Sequence, residues 1–401
     1  MFSTIECLTN KYFPLALSIR KELHRHPEIA WTEFFTSKYI ADCLKNMGYH
    51  IIKGEKVAGE ETGVIAELVC RPSTDKKKVF ALRFDIDALP ISESHCKAHR
   101  PFRDGFISEN EGCMHACGHD GHTAIGLALA QLLMDIKDSL SGCIRLIFQP
   151  AEEGARGAIR ITERGWLDDA DYFMAGHIFN RPKDLAPNCN VICGVAHSLA
   201  TTKSDIRLYG KKAHAAHPEQ GLDVMPAMAD AILQMKQIPS PGFIQIGRVK
   251  AGNSRNIIAD IAHIEMETRA PHSKRDRELN ILLNKILKNI ENKYHVSSTV
   301  TLMGSAPSLE SDPEFVEELI SLYRNKSNIL HPAAIMYDFP ASEDAAHMME
   351  KTKGHGGKAS FLLFPTDLSA DLHHDTFDFP DEVLAVAISS YALAVYQKLK
   401  I

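Results

Sequence analysis

No apolar stretch of this sequence comes near the ~20 residues that a membrane-crossing helix needs, so a membrane-spanning role is not expected. An excess of positive charge is lacking too: 45 Lys and Arg stand against 51 Asp and Glu, for a net charge of −6. That balance argues against nucleic acid or an anionic membrane as the main partner. The N-terminus, MFSTIECLTNKYFPLALSIRKELHRHPE, holds no targeting core and passes straight into a charged helical pattern. Nine cysteines, an odd and scattered set, make no disulfide framework. A cytoplasmic protein with free thiols is the expectation.

The length, 401 residues, exceeds the ~250–300 over which one core usually grows, so two domains are expected. The stretch TEFFTSKYIADCLKNMG reads as a helix, with Thr32 as N-cap and Gly48 as its stop. VIAELVC, KKVFALRFDID, GCIRLIFQP and ADYFMAGHI read as strands, and HTAIGLALAQLLMDIKD as a helix with one apolar face. Near residue 193 the rhythm changes to strand, helix, two strands, helix, strand. The spacing predicts an α/β fold: a mixed-sheet α/β/α catalytic domain (residues 1–190 and 305–401) interrupted by a ferredoxin-like βαββαβ domain (191–304).

Polar clusters fall where open α/β sheets do their chemistry, beyond the carboxyl ends of strands. FDID carries Asp85 and Asp87, FQPAEEG carries Glu152 and Glu153, AGHI ends a strand at His177, and DLHHDTFDF holds His373 and His374. The densest cluster is GCMHACGHDGHTAIG. Only Gly118 separates Cys117 from His119, and thiolate and imidazole both bind divalent transition metals. A redox pair would need C-x-x-C, whereas Cys113 and Cys117 are spaced C-x-x-x-C. A Cys–His nucleophile stays open at this level, as does a solvated loop for the glutamate pair. His115 and His122 read as residues that support the ligands or pack the helix more readily than as ligands.

MHACGHDGHTAIG, FQPAEEGARGA, GKKAHAAHPEQGLDVMPA and SEDAAHMM together resemble the aminoacylase/carboxypeptidase-type metallopeptidase family, in its branch of N-acyl-amino-acid amidohydrolases with a cysteine metal ligand. The likeness runs from about residue 20 to the C-terminus. It implies two divalent cations, Mn²⁺ or Zn²⁺, held by Cys117, His119, Glu153, His177 and His373, with His373 preferred to His374 because it lies four residues before Phe377. It implies Glu152 as the catalytic base, His214 as a residue completing the site of a partner protomer, and Asn256 and Arg269 as holders of the substrate carboxylate. Asp85 and Asp120 would orient ligand histidines. The implied reaction is amide hydrolysis of an N-acyl or N-aroyl amino acid, p-aminobenzoyl-glutamate foremost and a general N-acyl-amino acid or hippurate type otherwise. The inserted domain would serve as lid and dimerisation domain in a homodimer or a heterodimer. The rival readings are a cysteine hydrolase and a metal-binding protein that is catalytically silent.

Overall fold

A computed structural model describes residues 2–72 and 78–401. The chain divides into two compact units: Met1–Ala196, Glu310–Asp338 and Asp344–Ile401 form one, His197–Leu309 and Phe339–Glu343 the other.

The first unit is built on a six-stranded mixed sheet. Its strands are β1 (His50–Lys53), β2 (Val64–Val69), β3 (Val79–Asp85), β4 (Cys143–Gln149), β5 (Tyr172–Asn180) and β6 (Lys358–Thr366), in the order β1-β2-β4-β3-β5-β6. β3, β4, β5 and β6 run parallel, while β1 and β2 are antiparallel additions at one edge. Largely apolar runs such as CIRLIFQ, whose Arg145 is paired with Glu67 and Asp169, suit strands buried on both faces, and β3 and β4 are buried at every position. Helices α1 (Phe2–Arg25), α2 (Phe34–Met47), α3 (His119–Ile136), α4 (Pro313–Lys326) and α5 (Glu382–Leu399) belong to this unit.

Two local expectations need correction. Helix α3 has more than one apolar face: almost its whole surface is buried, because α1 and α5 pack on it as well as the sheet. Thr32 does not cap α2. Its hydroxyl donates to the Ile29 carbonyl, and the Glu28 carboxylate takes the N–H groups of Phe35 and Thr36 instead. Gly48 does end the helix, in the left-handed conformation expected of a C-terminal stop.

The second unit runs strand (Ala200–Tyr209), helix (Val224–Lys236), strands (Phe243–Ala251 and Ile261–Ala270), helix (Ser273–Tyr294), strand (Ser297–Ala306). In chain order its antiparallel strands lie 4-1-3-2, the ferredoxin-like arrangement. Leu279, Leu283, Leu287 and Ile290 recur at helical spacing and are buried against the sheet side, together with Val224, Ala227, Ala231 and Met235 of the first helix. Asp223 caps that first helix by accepting from Met225 N. No described helix of either unit is long and apolar enough to cross a membrane.

Candidate metal and catalytic centre

The parallel strands bring their chemistry to one level. Asp85 pairs with Gln149 across β3 and β4, and the register Leu82–Met174, continued three residues along, sets His177 level with Asp85. His177 therefore lies within β5 and not at its end. The strand runs on to Asn180 because β6 accompanies it, Phe179 opposite Pro365 and Asn180 opposite Thr366.

Gly118 makes the next connection. At φ +91° it occupies the left-handed region, which a side chain disfavours, and it turns the chain sharply between Cys117 and the first residue of α3, His119. The Cys117 Sγ then lies 3.4 Å from His177 Nε2. Donor atoms of Cys117, His119 and His177 converge within 4.8 Å of one another, as do those of Cys117, Glu153 and His373, and those of His119, Glu152 and Glu153. His373 Nε2 approaches Glu153 Oε1 to 3.4 Å, whereas His374 turns to Thr376 in the exposed loop. The His373 main chain is itself left-handed, φ +66°, and its N–H donates to the Ala116 carbonyl.

A short turn carries the glutamate pair. β4 ends at Gln149, and Pro150 stops the ladder by lacking a donor. Ala151 and Ala155 then adopt φ +56° and +53°. The turn closes where Gly157 passes so near the Pro150 carbonyl that a Cβ would lie 1.8 Å from its oxygen.

The donor set suits divalent cations. His119 Nδ1 donates to the Asp87 carbonyl at 2.9 Å, which leaves Nε2 to the cluster. That nitrogen is buried and makes no hydrogen bond among the described residues, an arrangement that costs free energy. Burial opposes a charge on His119, but Asp85 and then Cys117 overcome it and raise its pKa, so the ring holds a proton that a bound cation would displace. His177 is organised the same way: its Nδ1 donates to the Ile178 carbonyl and Nε2 faces Cys117.

Electrostatics point in the same direction. Burial, and then the negative charge of Glu153, push the Cys117 thiol well above its ordinary value. A nucleophilic cysteine needs the opposite shift, and a cation is what would pull the proton off. Burial, then the neighbouring His122, hold His177 neutral, the state a ligand imidazole requires. Burial opposes ionisation of Glu153, but a hydrogen bond from His373 and the charge of His119 overcome it and lower its pKa.

Asp85 and Asp120 serve different neighbours. Asp85 accepts from His122 Nδ1 at 2.6 Å and from Arg83 at 2.8 Å, and lies 3.7 Å from His119 Nε2. His122 in turn accepts from Ile178 N at Nε2, at 3.0 Å, so it spends one nitrogen on Asp85 and the other on the His177 strand. Asp120 turns away from the ligand histidines. Its Oδ2 meets His24 Nδ1 at 2.8 Å and Arg20 Nε at 3.4 Å. Arg20 and Arg100 together hold Asp378, Asp381 and the Phe379 carbonyl, so Asp120 anchors the segment that follows His373.

Asp87 is the residue that sequence reasoning passed over. Its carboxylate accepts from the backbone N–H groups of Glu152 and Glu153, while its carbonyl holds His119. FDID marks it as a carboxylate at the end of a strand, but the backbone N–H groups that it holds carry no sequence signature. Asp344, in the SEDAAHMM motif, has a supporting role: it binds Arg83, Gln149 and Ala158 N.

In the second unit His214 and Asn256 are neighbours. Ala215 N donates to the Asn256 carbonyl at 3.0 Å, Ile258 N to the Ala213 carbonyl at 2.9 Å, and His214 faces Ile257 in a bridge. Arg269 is elsewhere. It lies near the far end of the strand Ile261–Ala270, roughly 26 Å from Ile261 at ~3.3 Å per residue. Its Nε and one terminal nitrogen bind both oxygens of Glu267, and the other bonds Ser342.

Residues 81–397 match the profile of peptidase family M20/M25/M40. The chain is 36% identical to a component polypeptide of the p-aminobenzoyl-glutamate hydrolase of Escherichia coli, over 96% of this chain and 95% of that one. It is 34% identical to the indole-3-acetyl-aspartic acid hydrolase of Enterobacter agglomerans, over 96% and 97%. Among solved structures, a dinuclear metal binding M20 peptidase of Bacillus subtilis superposes with a TM-score of 0.73 at 27% identity, covering 97% of this chain and 99% of that one.

Proposed function

Since the chain belongs to peptidase family M20/M25/M40 and is a hydrolase of amide bonds, we propose that it cleaves N-acyl or N-aroyl derivatives of an acidic amino acid, with p-aminobenzoyl-glutamate as the foremost substrate. The single observation that carries the reaction is the convergence of Cys117, His119, His177, Glu153 and His373 with Glu152 beside them. Its relatives support the substrate: one is named for an aroyl-glutamate and one for an arylacetyl-aspartate, both aromatic acyl groups joined to a dicarboxylic amino acid.

In this reading Cys117, His119, His177, Glu153 and His373 hold two divalent cations, manganese or zinc. Bound there, the cations supply Lewis acidity to the scissile carbonyl and make a water molecule acidic enough to ionise near neutral pH. Glu152 takes the proton of the attacking water on a carboxylate oxygen and passes it to the departing amine nitrogen. Its backbone N–H is tied to Asp87, so the carboxylate acts from a fixed base. Cys117 stays a ligand throughout.

The second unit acts as lid and dimerisation domain. His214 steadies the negative carbonyl oxygen of the tetrahedral state, and Asn256 and Arg269 receive the substrate carboxylates. One lid cannot bring both ends of its long strand to one small molecule, a span of roughly 26 Å. That separation supports a two-chain site, in which His214 and Asn256 act on the partner's substrate. The partner is a second copy or a related, different chain, and the Escherichia coli relative, named as one component of a multi-chain hydrolase, supports the latter. Free thiols throughout suit a cytoplasmic setting.

A panel of substrates tests the proposal. N-benzoyl-, N-acetyl- and p-aminobenzoyl-L-glutamate, the corresponding aspartates and hippurate are incubated with metal-stripped protein reloaded with Mn²⁺ or Zn²⁺. Turnover of the aroyl-glutamates at least tenfold above hippurate is expected. Equal or better cleavage of N-acetyl or glycine conjugates would replace this reading with the general amidohydrolase one.

A further inference from the structure

We propose that Glu33 is a positioning residue for the glutamate-bearing turn, aiming Glu152 and Glu153 by holding the backbone of Ala151. The inference rests on the reading of Glu152 as base and Glu153 as ligand, and assigns part of their placement to a segment that none of the site motifs includes.

Three consecutive N–H groups, those of Ala151, Glu152 and Glu153, donate to carboxyl groups from elsewhere in the chain. Glu33 Oε1 takes the first at 2.8 Å, and Asp87 takes the second and third at 3.1 and 3.0 Å. The turn has left the sheet by this point, and Ala151 is in a left-handed conformation at φ +56°. An ordinary residue holds that conformation only when its surroundings impose it. The bond from Glu33 lies one residue before Glu152, where a small rotation of the backbone swings both glutamate side chains.

The obvious alternative role for Glu33 is capping, because it stands at the N-cap of α2. Its side chain makes no cap bond there; Glu28 has taken the free N–H groups. The carboxyl group instead leaves its own helix and is wholly buried against the turn. Burial beside a second carboxylate is costly for a charged group. Desolvation and the negative charge of Asp87 accordingly raise the Glu33 pKa, so the neutral acid is the favoured form.

The neutral acid has an isostere, and the test uses it. Glu33→Gln keeps an acceptor for Ala151 N, whereas Glu33→Met keeps the volume and loses the acceptor; Glu33→Ala repeats the second case should the Met variant fail to fold. Two readouts on the full-length protein are compared. In the first, kcat on p-aminobenzoyl- and N-benzoyl-L-glutamate falls about 30- to 100-fold in Glu33→Met, with KM within threefold, and returns to within threefold of wild type in Glu33→Gln. In the second, metal-stripped protein is titrated with Co²⁺ and followed by the thiolate-to-cobalt charge-transfer band. The Glu33→Met curve shifts to at least tenfold higher cobalt, because Glu153 rides on the same turn, and the Glu33→Gln curve overlays wild type. Wild-type kcat and an unshifted cobalt curve in Glu33→Met would overturn the inference, as would a Gln variant as impaired as the Met one. A wild-type protein that shows no thiolate band with cobalt would instead overturn the metal reading on which this one rests.

Discussion

Asp87 Oδ1 accepts the backbone N–H of Glu152 at 3.1 Å, while the Asp87 carbonyl accepts His119 Nδ1 at 2.9 Å. One residue just beyond the end of β3 thus fixes the main chain of the proposed base and the tautomer of a proposed ligand, by different atoms. Asp87→Ala removes the carboxylate and leaves His119 its carbonyl partner. Because that carboxylate holds the N–H of Glu153 as well as that of Glu152, kcat should fall roughly 100-fold as the glutamate turn loosens, and a cobalt titration of the stripped variant should move to higher metal, as in Glu33→Met. Wild-type kcat with an unshifted titration would show that the carboxylate does not hold the turn.

Glu152 and Glu153 are adjacent in sequence and unequal in role. The Glu153 side chain is largely buried near His373 and His119, whereas Glu152 reaches the cluster from its edge with His119 and Glu153. Glu152→Gln should lower kcat by about 10²–10⁴ and leave two equivalents of metal bound. Glu153→Gln should lose metal first. A Glu152→Gln variant with full turnover would leave a metal-binding protein whose chemistry lies elsewhere.

Cys117 distinguishes a ligand from a nucleophile. With burial and Glu153 holding the thiol protonated, alkylation by iodoacetamide should be slow in stripped protein and slower still once metal is bound. Peptide mapping should find Cys117 modified only after chelation, whereas exposed Cys7 and Cys96 react in both states. A Cys117 that reacts as fast with metal as without it would restore the cysteine hydrolase.

How much of this was legible in the sequence follows from the physics of each signal. Strands β3 to β5 were readable because burial on both faces writes itself as a predominantly apolar run, and polar residues after such runs marked the right end of the sheet. The turn at Gly118 between Cys117 and His119 was readable because a glycine lets the backbone bend there. The support beneath the site was not. Asp87 and Glu33 act on backbone N–H groups, which carry no sequence signature. The family resemblance cast Asp120 as an orienter of ligand histidines, but α1 brings Arg20 and His24 to it from a distant part of the chain. The Arg269–Glu267 pair is similar: two residues apart on a strand they share a face, yet nothing in the pattern says that the guanidinium is already engaged.

His24 gives a pH dependence whose sign can be worked out. It is buried between two carboxylates, Nδ1 2.8 Å from Asp120 and Nε2 3.0 Å from Glu93, and both nitrogens can donate only in the imidazolium. Burial opposes that charge, but the bonds to Asp120 and Glu93 overcome it and raise the pKa from 6.5 to about 9. Because the folded value lies above the unfolded one, the stabilisation is complete below about pH 6.5 and disappears as pH climbs through about 9. The full contribution is roughly 3 kcal/mol, of the size expected when a buried charged pair loses one partner. Comparing wild type with His24→Gln by urea unfolding at pH 6.0, 7.5 and 9.5 should therefore give a large stability difference at the lowest pH, an intermediate one at 7.5 and little at 9.5. A difference that stays constant across that range would mean that His24 is neutral in the folded protein, with Asp120 or Glu93 carrying the proton between them.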